Sequence, residues 1–324
     1  MTRSAILLML LAVSAPKWGV AAESPPNVII ILADDMGWSD LGCYGGEIET
    51  PHLDALARGG VRFTQFYNTG RCCPTRAALL TGLYQHQAGM GHMTGNDGIP
   101  SYQGFLNDRC ATIAEAIRPA GYTTFLAGKW HVGSARGHWP LDRGFDRFWG
   151  TPSGGGVYFR DTLKVRTNVF FASGNERVEP PEDLYVTETF TTQALRFIEE
   201  AVMQTRQPFF LYLAHIAPHW PLQAKPADIS KYRGRYDAGW DAMRRERFER
   251  QRRMGLIPAD ARLNSDKQRA RRATALLGTP GEQGRARGRL EGRGAKRKKM
   301  GTLRPRSRSH RDGKPCRDAA RENA

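Results

Sequence analysis

Three apolar runs rich in β-branched and aromatic residues each stop on side chains capable of chemistry. "NVIIILA" (Asn27 to Ala33) ends on Asp34-Asp35, "YTTFLAG" (Tyr122 to Gly128) on Lys129-Trp130-His131, and "PFFLYLA" (Pro208 to Ala214) on His215 and His219. Continuous apolar runs of this length, without alternation, predict strands covered on both faces. A fourth, "VRFTQFY" (Val61 to Tyr67), predicts a strand leading straight into a cysteine loop. Helical sequence separates them: Thr50-Pro51 opens a helix that Gly59-Gly60 closes, Thr112 caps one through Arg118 with Gly121 as its stop, and Thr187 to Thr205 has helical spacing. Strands alternating with helices make an α/β fold with a mostly parallel central sheet and helices on both faces. Such sheets place their sites in the crevice outside the carboxyl ends of the strands, where these polar residues fall.

The cysteine loop is "RCCPTRAALLTG", Arg71 to Gly82. Pro74 suits a first helical turn, where its missing N–H has no partner, and Ala77, Ala78, Leu79 and Leu80 are good helix formers. A thiol at the start of that helix faces free N–H groups and the positive end of the helix dipole, which favours its anion. The alternative is a helix start with two buried structural cysteines. Context favours chemistry: carboxylates suited to a hard divalent cation, a nucleophile at a helix start, Arg76 and Lys129 for an oxyanion, and His131 and His219 for proton transfer converge on the same strand ends.

Charge narrows the class of partner. The chain of 324 residues carries 48 Lys+Arg against 32 Asp+Glu, a formal +16, but residues 264–324 alone hold 19 against 6. That stretch has no Phe, Trp, Tyr, Ile or Val, so it is expected to be a disordered basic tail. The first 22 residues combine Arg3, an apolar run from Ala5 to Val13 and a small-residue end at Val20-Ala21-Ala22, which reads as a secretory signal cut before Glu23. The run is too short for a stable membrane anchor; a retained anchor is the alternative. The expected location is therefore exported, periplasmic or secreted. There the odd count of five cysteines leaves a thiol unpaired, reactive or modified.

Together "ADDMGWSDLGCYGG", "CCPTRAALLTG", "GKWHVG" and "APHWPLQA" resemble the type I sulfatases, the arylsulfatase branch of the alkaline-phosphatase-like superfamily. The resemblance spans about Asn27 to Leu263 and puts Cys72, Pro74, Arg76, Leu80, Thr81 and Gly82 in register with the family's cysteine motif. It implies that a formylglycine-generating enzyme oxidises Cys72 to formylglycine, whose hydrated aldehyde attacks the sulfur of a sulfate ester and later expels sulfate by elimination. It further implies Asp34, Asp35 and residue 72 around one Ca²⁺, Arg76 holding the formylglycine, Lys129 on the sulfate and His131 orienting a hydroxyl. His219 becomes the acid for the leaving alcohol and a contact to substrate, and Ser153, in "GTPSGGG", a substrate contact, with a plain glycine-rich turn as the alternative. His215 lies outside the matched motif and is read as a packing or supporting histidine.

The sequence also departs from the family. Leu83 stands where a basic residue is common, which bears on recognition by the modifying enzyme. The family's later Asp-Asn pair, which completes the calcium shell, has no counterpart here, so the domain from 23 to 263 reads as the first part of a catalytic domain. Residues 264–324 then read as an out-of-frame end, and the chain is expected to be poorly stable and nearly inactive. Two other functions fit parts of the sequence: a phosphate or phosphonate monoester hydrolase of the same superfamily, and a polyanion-binding protein working through the basic tail. A signal peptide argues against a specific nucleic-acid partner.

Overall fold

A computed structural model of the chain describes residues 25–205 and 207–264. The signal-peptide reading and nearly all of the proposed tail lie outside the described residues.

Six strands form one sheet: β1 (Val28–Leu32), β2 (Thr123–Lys129), β3 (Arg147–Thr151), β4 (Phe171–Ser173), β5 (Glu176–Val178) and β6 (Phe209–Ala214). Their spatial order is β1-β6-β2-β3-β4-β5, with the first four strands parallel and β4 and β5 antiparallel. Leu32 pairs with Ala214, Ala214 with Gly128, and Gly128 with Gly150. The four parallel strands thus finish in one row, and whatever follows each is delivered to the same edge. The row is tight: a Cβ on Gly128, at φ +127°, would lie 2.1 Å from the Ala214 carbonyl oxygen.

The side-chain period of two splits β6 between two cores. Phe210, Tyr212 and Ala214 join Leu80, Trp130, Phe145 and Phe148 on one face; Phe209, Leu211 and Leu213 join Phe125, Trp149 and Phe190 on the other. Helix α2 (Cys72–Thr81) supplies Ala77 and Leu80 to the first core, and α4 (Val186–Glu200) supplies Phe190 and Ala194 to the second. Helices therefore cover both faces, as expected of the α/β class.

Local signals explain the remaining elements. Helix α1 (Pro51–Gly59) has proline at its first position. Helix α3 (Ile113–Ile117) opens with a capping box: the Glu115 N–H donates to Thr112 Oγ1 at 3.1 Å, and the Thr112 N–H donates to Glu115 Oε2 at 2.7 Å. Its following turn stops at Gly121, whose φ is 84°. Helix α5 (Pro226–Lys231) is short. Helix α6 (Trp240–Arg253) buries only Gln251 and is tied down by Arg247, which pairs with Glu47 at 2.6 Å and Asp40 at 2.9 Å. These elements belong to one compact unit ending at Ala259.

Two strand readings need correction. Val61 to Tyr67 is not a strand; Phe66 is 76% exposed there, and no neighbour among the described residues offers the segment a hydrogen-bond ladder. β1 is a strand but is not covered on both faces. Among the described residues it pairs only with β6, and while Ile30 and Leu32 pack on the core, Ile31 is 54% exposed.

Candidate active site

Residue 72 is the first residue of α2, after Arg71 in extended conformation (φ −141°, ψ 155°). Ala77 and Leu80 anchor the helix in the core, and Gly82 ends it in the left-handed region (φ 68°). That anchoring leaves Cys72 half-buried at the site while Cys73 is fully buried. The Cys72 and Cys73 sulfurs and a ring nitrogen of His131 lie within 4.8 Å of one another. A hydrogen bond from the Cys73 thiol, then one from His131 and the charge of Lys129, hold the Cys72 thiol far below its ordinary pKa despite burial. The same bond, together with burial, pushes Cys73 up. The thiol thus stands at the helix start where the sequence puts it, with Cys73 as an unforeseen neighbour.

Behind the thiol sits a buried charge cluster. Asp34 is 5% exposed; its Oδ2 meets Lys129 Nζ at 2.6 Å and its Oδ1 lies 3.5 Å from Arg76 Nη2. Arg76 also donates from Nη1 to the Lys129 carbonyl at 2.8 Å and to the Tyr212 hydroxyl at 3.2 Å. Two cations on one carboxylate leave a net positive charge in a place without water to screen it, which favours an anion. Among the described residues Arg76 Nε and Nη2 find no hydrogen-bond acceptor, nor does Ser153 Oγ find a partner. An oxyanion supplies what such donors lack.

His131 follows β2, and His219 lies in the loop after β6. Burial pulls the His131 pKa below its ordinary value, so the ring is neutral at pH 7, with Nδ1 unpartnered. His219 Nε2 lies 3.6 Å from Asp35 Oδ2. The loop carrying His219 is fastened to β1: the His215 N–H donates to the Leu32 carbonyl at 2.9 Å, and the Asp34 N–H to the Ala217 carbonyl at 3.0 Å. Asp35 (φ 63°) and His131 (φ 60°) are the two non-glycine residues with left-handed backbone among the described residues. Backbone strain of that kind collects at functional sites.

The structure therefore brings Cys72, Arg76, Lys129, His131 and Asp34 together, with Asp35 and His219 as a second pair joined through the β1 end. Ser153 lies in the loop after β3 that packs on His131 and Lys129: a Cβ on Gly154 would sit 3.0 Å from His131 Nε2, and one on Gly155 3.3 Å from Lys129 Cδ. His215 is half-buried, its pKa lowered by the loss of solvation. Among the described residues, the group of three metal-ligating side chains is Cys72, Cys73 and His131. Asp34 instead stands between its two cations. Tyr212, which steadies Arg76, and Tyr158, whose hydroxyl donates to the His219 carbonyl at 2.7 Å, look like core residues in the sequence. The run of three glycines was the available signal for a close-packed loop.

Comparison with known proteins agrees with this geometry. The family model described as "Sulfatase" matches residues 26–282. The arylsulfatase of Klebsiella aerogenes is 40% identical over 250 residues, covering 75% of this chain and 53% of that protein. The crystal structure of Ps i-CgsB superposes with a TM-score of 0.58 at 33% identity, over 64% of this chain and 48% of that one. BT4656, in complex with its substrate D-glucosamine-2-N,6-O-disulfate, gives 0.51 at 26% identity, over 64% and 37%. The chain spans about half the length of the curated relatives that it matches. With the cysteine motif at a helix start and the strand-end cluster behind it, the chain belongs to the sulfatase family.

Proposed function

We propose that this protein hydrolyses sulfuric esters with residue 72 as the nucleophile. Membership of the family implies a formylglycine and a divalent metal in general. The observation that carries the reading is Cys72 at the first turn of α2, facing His131 and backed by the buried Asp34–Lys129–Arg76 cluster with its excess positive charge. The Cys72 sulfur stands where formylglycine would carry its oxygen after modification. When present, formylglycine supplies a hydrated aldehyde, an oxygen nucleophile that can release sulfate without a second attack at sulfur.

The chain's own residues then have distinct tasks. Lys129 and the unsatisfied Arg76 donors face the charge that grows on the sulfuryl oxygens, where preorganised donors matter most. His131, neutral at pH 7, accepts a proton from a hydroxyl on residue 72. His219, in reach of Asp35, gives a proton to the departing alcohol, and Ser153 contacts the sulfate.

The metal reading rests on donor chemistry. Asp34 and Asp35 are adjacent carboxylates, the hard oxygen donors that a hard divalent cation such as Ca²⁺ takes, but they supply fewer than the roughly six to eight oxygens of its usual shell. Both residues would hold the ion, which would add positive charge beside the sulfate. The substrate class is a sulfate ester, in keeping with the disulfated substrate named for BT4656. The protein is proposed to be exported and to depend on a formylglycine-generating enzyme for Cys72.

The test is production of the chain with and without that modifying enzyme. Mass spectrometry is expected to show a loss of about 18 Da on the peptide holding residue 72. Turnover of an aryl sulfate, above that of the matching aryl phosphate even if low in this chain, is expected only from the modified protein. Faster cleavage of the phosphate would move the assignment to phosphate esters.

A further inference from the structure

The loop "SGGG", Ser153 to Gly156, links the catalytic cluster to a second feature. Gly154 packs on His131 and Gly155 on Lys129; the third glycine, Gly156 (φ +89°), would place a Cβ 3.3 Å from Arg166 Cζ and 3.4 Å from the Trp220 carbonyl oxygen. One short backbone stretch therefore touches the sulfate cradle at one end and the Arg166–Trp220 pair at the other. A side chain at any of the three positions would force these parts away from the loop.

Trp220 directly follows His219, the acid proposed for the leaving alcohol, and it is 64% exposed. The Arg166 guanidinium lies over its ring, 4.8 Å from the centroid. Among the described residues no carboxylate pairs with Arg166. Most other cations near a neighbouring element find one here: Arg160 pairs with Glu182, Arg247 with Glu47, Arg143 with Glu115. An arginine kept half-buried on an indole, with its charge unanswered, is a ready partner for an external anion, and the indole presents an apolar surface against which a ring can stack.

We infer that Trp220 and Arg166 form the subsite for the leaving group, and that this subsite selects a ring-bearing alcohol carrying a second anionic group beside the scissile sulfate ester. The inference rests on the sulfuric ester hydrolase reading and adds the chemistry of the alcohol. The ring lies against Trp220 next to His219, which places the ester oxygen near its proton donor. Arg166 binds the second anion, a sulfamate, sulfate or carboxylate on that ring. A neutral ring keeps the stacking and loses the ion pair.

Binding of the desulfated alcohol tests this without any turnover. In the full chain, isothermal titration is expected to show N-sulfoglucosamine binding about tenfold more tightly than N-acetylglucosamine, in line with one charge-assisted hydrogen-bonded pair. Arg166→Gln is expected to abolish that preference and Arg166→Lys to restore part of it; Trp220→Ala should weaken both sugars. Running 4-hydroxybenzoate beside N-sulfoglucosamine tells an anionic arene from an anionic sugar, and either one binding in an Arg166-dependent way supports the subsite. Equal binding of the charged and neutral sugars, or a preference that survives Arg166→Gln, would overturn it. The modified protein separates the two proposals: sulfate release without preference between the 6-sulfates of the two sugars defeats the subsite alone. Arg166-dependent binding without sulfate release keeps the subsite and defeats the assigned reaction.

Discussion

β1 and β6 lie side by side in register, carry similarly apolar sequences, and end differently. Every residue of β6 is buried, whereas Ile29 and Ile31 of β1 are exposed. The difference lies in neighbours: among the described residues β6 has β1 and β2 on its two sides and a core on each face, while β1 has a partner on one side and a core on one face. Apolar composition specifies a strand; what covers it is decided elsewhere in the chain. The site draws on both strands nonetheless. Asp34 is buried although it follows the exposed strand, because Lys129, Arg76 and the Ala217 carbonyl hold it.

The sharpest test of that last point compares two adjacent carboxylates. Asp34→Ala would strand Lys129 and Arg76 as uncompensated buried charges, and removing one partner of such a cluster typically costs about 3–5 kcal/mol. Asp35 is 58% exposed, and its loss is expected to change stability by about 0.5 kcal/mol or less. Urea unfolding of the two variants measures the gap. Similar losses would mean that Asp34 is less isolated from water than its position indicates.

The same comparison applies to the strands themselves. Leu211→Ala in β6 removes a fully covered side chain and should cost about 2–5 kcal/mol. Its partner across the ladder is Ile29 of β1, where alanine is expected to cost less than about 1 kcal/mol. If the two unfold at the same urea concentration, β1 is covered in solution and its exposure is not a property of the folded chain.

What the sequence made legible follows the same division. The runs of β1, β2 and β6, the proline and capping signals of α1 and α3, and the helix start at Cys72 are local, and all stand in the structure. The convergence of strand ends was also readable, since parallel strands that finish in one row deliver their next residues together. β3 was not, because "RFWGT" mixes a charge and a glycine into five residues and takes its strand state from pairing with β2. Helix α6 is polar nearly all round and is held by Arg247 and Arg250 reaching Glu47 and Gly45, contacts about 200 residues apart in the chain. Val61 to Tyr67 has strand composition without a strand paired to it among the described residues. The Cys72–Cys73–His131 grouping needed the fold, for nothing local links residue 131 to a helix start at 72.

Acid exposes a smaller difference. Burial holds His131 and His215 below the ordinary histidine pKa. In the unfolded chain each ring takes a proton near pH 6.5, while the folded rings stay neutral further down. The unfolded state therefore binds more protons in that window, and stability is lost as pH falls below about 6.5. Thermal unfolding between pH 7.5 and 5.5 should show this slope, and His215→Gln should flatten part of it. An unchanged slope would place the acid sensitivity in other groups.

The last prediction concerns what the uncovered strand does rather than what it costs. Ile29 and Ile31 lie on the exposed face of β1, and the strand edge away from β6 has no ladder partner among the described residues. An apolar strand with a free edge is a template for another chain, and charge on such an edge is the usual defence. Ile31→Lys places that charge where the side chain already meets solvent, so the fold should change by about 0.5 kcal/mol or less. Self-association, by contrast, should fall clearly, and light scattering across a dilution series reads it directly. The buried strand supplies the control: Leu213→Lys would unfold the chain, since it drives a charge into a covered core. If Ile31→Lys leaves association unchanged, the sticking surface lies elsewhere, and the exposed apolar residues of Val61 to Tyr67 become the next to charge. If it unfolds the chain as Leu213→Lys does, the contrast between β1 and β6 fails in solution.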